Sequence, residues 1–158
     1  MEKIRIRIIG CSSIAKSSTI PAILKSENTH LEYIGSRSKE KAKDYSNEFN
    51  CKKFGSYDDV INDKNVDAVY ISTPIGTHEE WVIKSAVAGK HILCEKPLAT
   101  TVEECKKMID AANANNVLLI EAFTHRWNPH LRKAIELILS GAIGEISTID
   151  SSLSYSAV

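Results

Sequence analysis

Residues 10–15, Gly-Cys-Ser-Ser-Ile-Ala, stand between an isoleucine-rich segment and a predicted helix. A glycine-rich turn in that place binds the pyrophosphate of a dinucleotide, because backbone N–H groups at the helix start point toward the anion. The full pattern is G-x-G-x-x-G/A, and this chain has Ser12 at the second glycine and Ala15 at the last position. Ser12 adds a hydroxyl donor, but its side chain narrows the space in which a pyrophosphate can approach the loop backbone. The turn predicts a phosphate-binding loop, and an ordinary strand–helix turn is the alternative. The candidate contacts in this loop are Gly10, Ser12, Ser13, Ile14 and Ala15.

The end of the second predicted strand indicates which nicotinamide cofactor would bind. An NAD site has Asp or Glu there, which binds the ribose hydroxyls and would repel a 2′-phosphate. This chain has Ser36, Arg37 and Ser38 instead, with Lys41 one helical turn further on. Two hydroxyls and two cations suit a phosphate dianion through charge-assisted hydrogen bonds. We therefore expect NADP, with NAD as the second choice; the alternative is that Arg37 and Lys41 are solvated surface charges.

The hydrophobic pattern predicts the elements that would position these residues. Strands are predicted at residues 4–9, 31–36, 52–54, 68–72, 91–94 and 117–121. Helical segments separate them: one to about Leu24 that Pro21 interrupts, one capped by Ser38, a short one at 57–61, and two with T-x-x-E capping boxes at Thr77–Glu80 and Thr101–Glu104. This alternation indicates βαβ units and a parallel sheet. The expected fold class is α/β, with a Rossmann-type doubly wound parallel sheet over residues 1–122.

The pattern changes after residue 122. A helix is predicted at 129–140, and residues 145–155 alternate like a strand with one exposed face. No partner for that strand follows in the sequence, which would leave an unpaired edge. We therefore expect residues 123–158 to be the linking helix and first strand of a truncated second α/β domain.

The composition is that of an ordinary globular protein. Among 158 residues, Lys plus Arg number 20 and Asp plus Glu number 20, so no global charge favours nucleic acid or a membrane surface. The N-terminus alternates charge with isoleucine, unlike a signal peptide, and no segment reaches transmembrane length. Four cysteines without a C-x-x-C pair indicate free thiols, with metal ligands or disulfides as the alternative. We expect a cytoplasmic protein with no metal, nucleic-acid or membrane partner.

Several segments share the motifs of a known family. They are Thr73-Pro74 with His78, the stretch A-G-K-H-I-L-C-E-K-P-L-A at 88–99, and Glu121-Ala122-Phe123 leading into Arg126-Trp127-Asn128-Pro129. Together with residues 36–41, they resemble the glucose–fructose oxidoreductase and inositol dehydrogenase family (Gfo/Idh/MocA). The resemblance covers nearly the whole chain. The E-K-P stretch is its specific part, whereas the glycine loop departs from the family's usual second glycine.

The resemblance implies roles for individual residues. The lysine of the family's E-K-P motif is a catalytic acid/base beside the nicotinamide, and here it is Lys96. Its neighbour Glu95 would contact the cofactor, and the Lys96–Pro97 bond is one that is often cis. The other implied cofactor contacts are Thr73, Pro74 and His78 along the cleft, with Arg126 and Trp127 on the nicotinamide side. From the residues alone, a surface lysine paired with Glu95 is the simpler interpretation of Lys96.

The resemblance also implies a function. It implies an NAD(P)-dependent oxidoreductase that transfers hydride between nicotinamide and a carbinol or ketone of a sugar, cyclitol or nucleotide-sugar. In that family a second α/β domain supplies most of the substrate pocket, a further catalytic histidine and contacts for a homo-oligomer. We therefore expect negligible turnover from these residues alone, since hydride transfer needs a substrate held close to the nicotinamide. The alternative is a dinucleotide-binding module, a sensor or subunit, that binds without turnover.

Overall fold

Parallel strands form a sheet at the centre of the computed structural model, which describes residues 3–63, 67–152 and 154. The strands are β1 (Ile4–Ile9), β2 (Thr29–Gly35), β3 (Phe54–Gly55), β4 (Ala68–Ile71), β5 (His91–Cys94) and β6 (Leu119–Glu121). Their order is β3-β2-β1-β4-β5-β6, and every pairing is parallel. This order is that of the doubly wound dinucleotide-binding fold, so the predicted fold class is confirmed.

Helices connect the strands and cover both faces of the sheet. They are α1 (Ile20–Lys25), α2 (Lys39–Glu48), α3 (Tyr57–Asn62), α4 (His78–Val87), α5 (Val102–Ala114) and α6 (Pro129–Leu139). One face is packed through Ile9, Val69 and Ile71 against the helical residues Val60 and Val82, all fully buried. A separate cluster, which includes Ile8, Ile34, Tyr70, Ile20 and Tyr45, fills the other face. Burial on both faces explains why the central strand β4 is continuously apolar.

The helix after the glycine loop is irregular, as Pro21 predicts. Residues Ala15–Thr19 form a π-helical turn, and the regular helix α1 begins at Ile20. Residues 13–25 are helical without a break, so Pro21 lies inside a continuous helical stretch. Its missing N–H removes one hydrogen bond to the preceding turn, next to the π-helical residues.

Two of the predicted helix caps form. The hydroxyl of Ser38 accepts a hydrogen bond from the N–H of Lys41 at 3.2 Å, and that of Thr101 accepts from the N–H of Glu104 at 3.1 Å. The reciprocal half of the second box is different, because the Glu104 carboxylate binds the N–H and hydroxyl of Thr100. The start of α5 thus has its carboxylate on Thr100, one residue before the position expected for a capping box.

The capping box predicted at Thr77 and Glu80 is wrong. The Thr77 hydroxyl donates to the Pro74 carbonyl at 2.8 Å and contacts the Thr73 hydroxyl at 2.9 Å, and it accepts no hydrogen bond from the first turn of α4. Residues Ile75–Thr77 form a 3₁₀ turn that runs directly into α4. Glu80 instead pairs with Lys84 one turn later, at 2.7 Å.

The chain divides into one compact unit up to Ala122 and a second from Phe123 onward. In the second unit, a 3₁₀ turn at Thr124–Trp127 precedes α6, whose first N–H groups are capped by the Asn128 side chain. The strand predicted at 145–155 is wrong over residues 145–152, which form no strand, and Leu153 and Tyr155 lie outside the described residues. A strand needs a neighbour for its N–H and C=O groups, and the described residues of this unit offer none.

Candidate functional site

The carboxyl ends of the central strands meet at one edge of the sheet. Strand register places Ile9 beside Gly35 on one side and beside Ile71 on the other. The next residues continue the ladder, since the N–H of Ser72 donates to the Ile9 carbonyl at 2.9 Å and that of Glu95 to the Ile71 carbonyl at 2.8 Å. The chain order reverses between β1 and β4. Open α/β sheets bind their ligands in the crevice at such a point.

Gly10 approaches the end of β4 too closely to carry a side chain. Its φ angle is +111°, and a Cβ atom would lie 2.9 Å from both the carbonyl carbon and oxygen of Ser72. The Ser72 hydroxyl donates a hydrogen bond to the Gly10 carbonyl at 2.8 Å and fixes this approach. The first glycine of the loop is therefore required for steric reasons.

Replacing Gly10 by alanine should destabilise the domain. We expect Gly10→Ala to lower the free energy of unfolding by about 1–3 kcal/mol, because a strained φ and a backbone clash occur together. The measurement is urea denaturation followed by circular dichroism. Gly76→Ala is the matched control, since a Cβ at Gly76 meets nothing within 4 Å. Equal unfolding free energies for the two variants would contradict the steric argument.

Ser12, at the position of the usual second glycine, completes the start of the helix. Its hydroxyl accepts a hydrogen bond from the N–H of Ala15 at 3.1 Å, and its carbonyl accepts from the Tyr45 hydroxyl at 3.3 Å. A serine hydroxyl has one donor hydrogen, which stays available for an anion while the oxygen accepts. The loop thus keeps a donor at Ser12, although one backbone N–H is already bonded.

A cavity of about 470 Å³ opens at the switch point. Its lining residues are Gly10, Cys11, Ser12, Ser36, Arg37, Ser38, Lys41, Tyr57, Ser72, Thr73 and Pro74. The cavity therefore brings together the glycine loop, the end of β2 and the Thr73-Pro74 segment, which the sequence predicted as parts of one site.

The β2 end of this cavity is suited to a phosphate. The hydroxyl of Ser36 accepts from the N–H of Ser38 at 3.2 Å, and the hydroxyl of Ser38 accepts from the N–H of Lys41, so the Ser38 hydroxyl keeps a hydrogen to donate. Among residues 3–63, 67–152 and 154, neither Arg37 nor Lys41 has a carboxylate within ion-pair distance. Donors and cations without an acidic neighbour form a cradle for an anion.

Three residues that the sequence did not identify also line this cavity, namely Cys11, Tyr57 and Ser72. Burial raises the pKa of the Cys11 thiol, while a hydrogen bond with Ser36 and the Lys41 cation lower it. Burial likewise raises the pKa of Tyr57, against the nearby Arg37 cation, which lowers it. Cys11 is therefore a thiol, not a thiolate, at neutral pH. No motif marks Tyr57, which arrives from the start of α3.

A second cavity, of about 300 Å³, adjoins the first, because Ser72 and Thr73 line both. Its lining residues are Ile14, Ser72, Thr73, Ile75, His78, Glu95 and Lys96. Lys96 thus lies in the same cleft as the glycine loop. The sequence missed Ser72 and Ile75, although Ser72 is the residue that directly follows β4.

Lys96 is not paired with Glu95 through its amine. The Glu95 carboxylate accepts from the Tyr70 hydroxyl at 2.6 Å and from the backbone N–H of Lys96 at 3.2 Å. In the part of the chain that the structure describes, no carboxylate lies within ion-pair distance of the Lys96 amine. The Lys96–Pro97 bond is cis, as the family resemblance implies. The simple surface ion pair considered from the residues alone is therefore absent.

His78 is buried, with 2% of its surface exposed, and joins two segments of the cleft wall. Its Nε2 atom lies 2.8 Å from the carbonyl oxygen of Thr73. Its Nδ1 atom lies 3.1 Å from the carbonyl oxygen of Leu98 and 3.2 Å from that of Pro97. The first turn of a helix suggests a half-exposed histidine, but these carbonyl partners keep the ring inside.

Four of the sequence-predicted site residues line neither of these two cavities. Ala15 is fully buried in the core, and Ser13 is exposed beside the loop. Arg126 and Trp127 belong to the second unit, where they lie in the 3₁₀ turn before α6 and the Arg132 guanidinium lies 5.8 Å from the Trp127 ring centroid. Their place in the cofactor site remains a prediction.

Among the described residues there is neither a candidate metal site nor a helix that could span a membrane. No group of three or more His, Cys, Asp or Glu side chains within them could hold a metal ion. Within the same ranges, no helix combines the length and apolar character needed to cross a membrane.

The strand order and the cleft at the switch point define a Rossmann-type nucleotide-binding domain. A family model described as "Oxidoreductase family, NAD-binding Rossmann fold" (GFO_IDH_MocA) matches residues 4–123. The chain belongs to this family, and the resemblance found in its motifs is confirmed.

The relatives include named enzymes. An uncharacterized oxidoreductase of Rhizobium meliloti is 37% identical over 150 residues, which is 94% of this chain and 45% of that protein. The D-xylose 1-dehydrogenase (NADP(+)) 2 of Haloferax volcanii is 36% identical over 149 residues, again 94% of this chain and 45% of that protein. The chain thus spans less than half the length of these relatives.

A solved structure gives the same picture for the fold. A 3-ketoreductase from Actinomadura kijaniata, crystallised with NADP and TDP-benzene, superposes with a TM-score of 0.85 at 33% identity. The match covers 91% of this chain and 44% of that one.

Proposed function

We propose that this chain is the cofactor-binding part of an NADP-dependent oxidoreductase that acts on a sugar or nucleotide-sugar. The observation that carries the proposal is one cleft with two chemically different ends. One end is lined by serine hydroxyls with Arg37 and Lys41, and the other by Lys96, whose amine has no carboxylate partner in the described part of the chain. Relatives named as an NADP-dependent xylose dehydrogenase and a 3-ketoreductase support the substrate class.

The residues of the cleft fit the proposed cofactor. Gly10, Ser12 and Ile14 line the two adjoining cavities at the helix start, where loop N–H groups would bind a pyrophosphate. Ser36, Arg37, Ser38 and Lys41 would hold the 2′-phosphate that distinguishes NADP from NAD. NAD, which lacks that phosphate, would use the same loop with fewer contacts.

The proposed chemistry needs one proton for each hydride. The nicotinamide, when bound, supplies or accepts the hydride. Lys96 lines the cavity next to the glycine loop. Its amine would move the proton, giving it to a carbonyl oxygen in reduction and taking it from a hydroxyl in oxidation. His78 and Glu95 lie in the same cavity and would shape its wall. The relatives are longer than this chain. The proposal therefore includes a second domain that supplies the substrate pocket and the contacts of a homo-oligomer.

Two measurements test this function. NADPH fluorescence is titrated with the purified chain, and tight binding with weaker NADH binding is expected. The chain is then extended by the segment that corresponds to the remaining part of its relatives. This longer protein is assayed with candidate sugars, and turnover is followed by the absorbance of the reduced nicotinamide. Binding without any absorbance change would favour the dinucleotide-binding module, and absence of NADPH binding would contradict both.

A further inference from the structure

Tyr70 is a buried phenol that the proposed chemistry does not use. It lies on β4 with 1% of its surface exposed, in the core cluster under the glycine-loop helix. Its hydroxyl donates a hydrogen bond to Glu95 Oε1 at 2.6 Å. A hydrogen bond from a phenol to a carboxylate is a short, charge-assisted one.

The sheet geometry explains how Tyr70 reaches Glu95. Strand register places Tyr70 beside Leu93 on the neighbouring strand β5. Alternate residues of a strand share a face, so Glu95, two residues after Leu93, lies on the same face as Tyr70 but further toward the carboxyl edge. The length of the tyrosine ring spans that step. A buried residue inside the sheet therefore makes contact with a residue of the cleft.

The second oxygen of Glu95 extends this contact to Lys96. Glu95 Oε2 accepts from the backbone N–H of Lys96 at 3.2 Å. Two hydrogen bonds to one carboxylate fix its orientation, and one of them determines where the peptide of Lys96 lies. On the other side of the turn, the N–H of Leu98 donates to Glu121 Oε1 at 2.9 Å.

The phenol keeps its proton in this environment. Burial raises the pKa of Tyr70 well above its ordinary value, the hydrogen bond to Glu95 raises it further, and a side-chain hydrogen bond with Thr19 opposes the shift. Among the described residues, the titratable groups that interact electrostatically with the phenol are Glu95 and Cys94, and both raise its pKa. Tyr70 is thus a donor at neutral pH and does not serve as a base.

We propose that Tyr70 is a positioning residue that orients the Glu95 carboxylate toward the cofactor cleft and thereby holds the backbone of Lys96. The roles of Glu95 as a cofactor contact and of Lys96 as the proton-transfer residue rest on the proposed function. The hydrogen bonds that hold the turn at Lys96 are independent of that function. If Tyr70 only filled the core, removal of its hydroxyl would change stability and leave the turn and the cofactor affinity unaltered.

A double-mutant cycle separates these roles. Tyr70→Phe removes only the hydroxyl, and it is compared with Glu95→Ala and with the double variant in NADPH titrations. We expect Tyr70→Phe to weaken NADPH binding by about 3- to 10-fold in the parent chain and to have no further effect in the Glu95→Ala background. An unchanged affinity, or the same loss in both backgrounds, would overturn the proposal.

A second readout works without a cofactor. In ¹H–¹⁵N spectra of the free chain, Tyr70→Phe should shift the Lys96 amide signal and speed its exchange with solvent. Tyr33→Phe is the matched control, because Tyr33 lies against Arg7, outside both cavities. If the parent chain fails to bind NADPH, the proposed function is contradicted and the Lys96 amide alone decides the role of Tyr70. An amide that responds alike to both variants, or to neither, would refute positioning.

Discussion

Arg37→Ala should weaken NADPH binding about tenfold or more and leave NADH binding nearly unchanged. A hydrogen bond to a charged group contributes about 1.5–3 kcal/mol, and each 1.4 kcal/mol is tenfold in affinity. Arg37 lines the cavity at the end of β2 beside two serine hydroxyls and Lys41. NADH has no 2′-phosphate, so its affinity does not depend on a contact with Arg37.

The measurement is a fluorescence titration of both cofactors at fixed ionic strength, because exposed charges are screened by salt. Lys43→Ala is the matched control, since Lys43 is an exposed cation on the same helix, α2, but does not line the cavity. Equal losses of NADPH and NADH affinity would remove Arg37 from the 2′-phosphate. A loss in Lys43→Ala as large as in Arg37→Ala would indicate a general charge effect.

The order of strands and helices could be predicted because their patterns are local. β4 is apolar throughout and β1 has an isoleucine at every position except Arg5 and Arg7, and their predicted bounds differ from the structure by at most one residue. β3 is only Phe54–Gly55, not 52–54, because it pairs with β2 at those two positions alone. β2 begins two residues earlier than predicted, at Thr29, since its pairing with β1 extends there. Strand ends depend on neighbours that are distant in sequence.

Most residues that line the two candidate cavities could be predicted where a sequence motif includes them. The glycine loop, the β2 end and the E-K-P turn each have a sequence signature, and the sheet edge brings them into adjoining cavities. Tyr57 and Tyr70 have none, because their roles depend on register and on a side chain's reach. The burial of His78 depends on carbonyl groups about twenty positions away, near Leu98. Such contacts follow from tertiary structure, so a single sequence does not reveal them.

Lys96→Ala should reduce turnover by about 10²–10⁴-fold in the completed enzyme, the usual effect of losing general acid/base catalysis. The amine is the group in the cleft that can move a proton and has no carboxylate partner among the described residues. NADPH binding should change far less, since the proposed phosphate contacts are at the other end of the cleft. Lys96→Arg should not restore the rate, because a guanidinium does not release its proton at a workable pH.

The assay compares kcat with the NADPH dissociation constant for each variant. Lys106→Ala is the matched control, because Lys106 is an exposed lysine on α5 that lines neither cavity. A proton-transfer residue lowers kcat while the dissociation constant stays within a few-fold of the parent value. If Lys96→Ala weakens NADPH binding in proportion to the lost rate, Lys96 is a cofactor ligand. The base would then have to come from a residue outside this cleft, since His78 is already held by backbone carbonyls and Tyr70 keeps its proton.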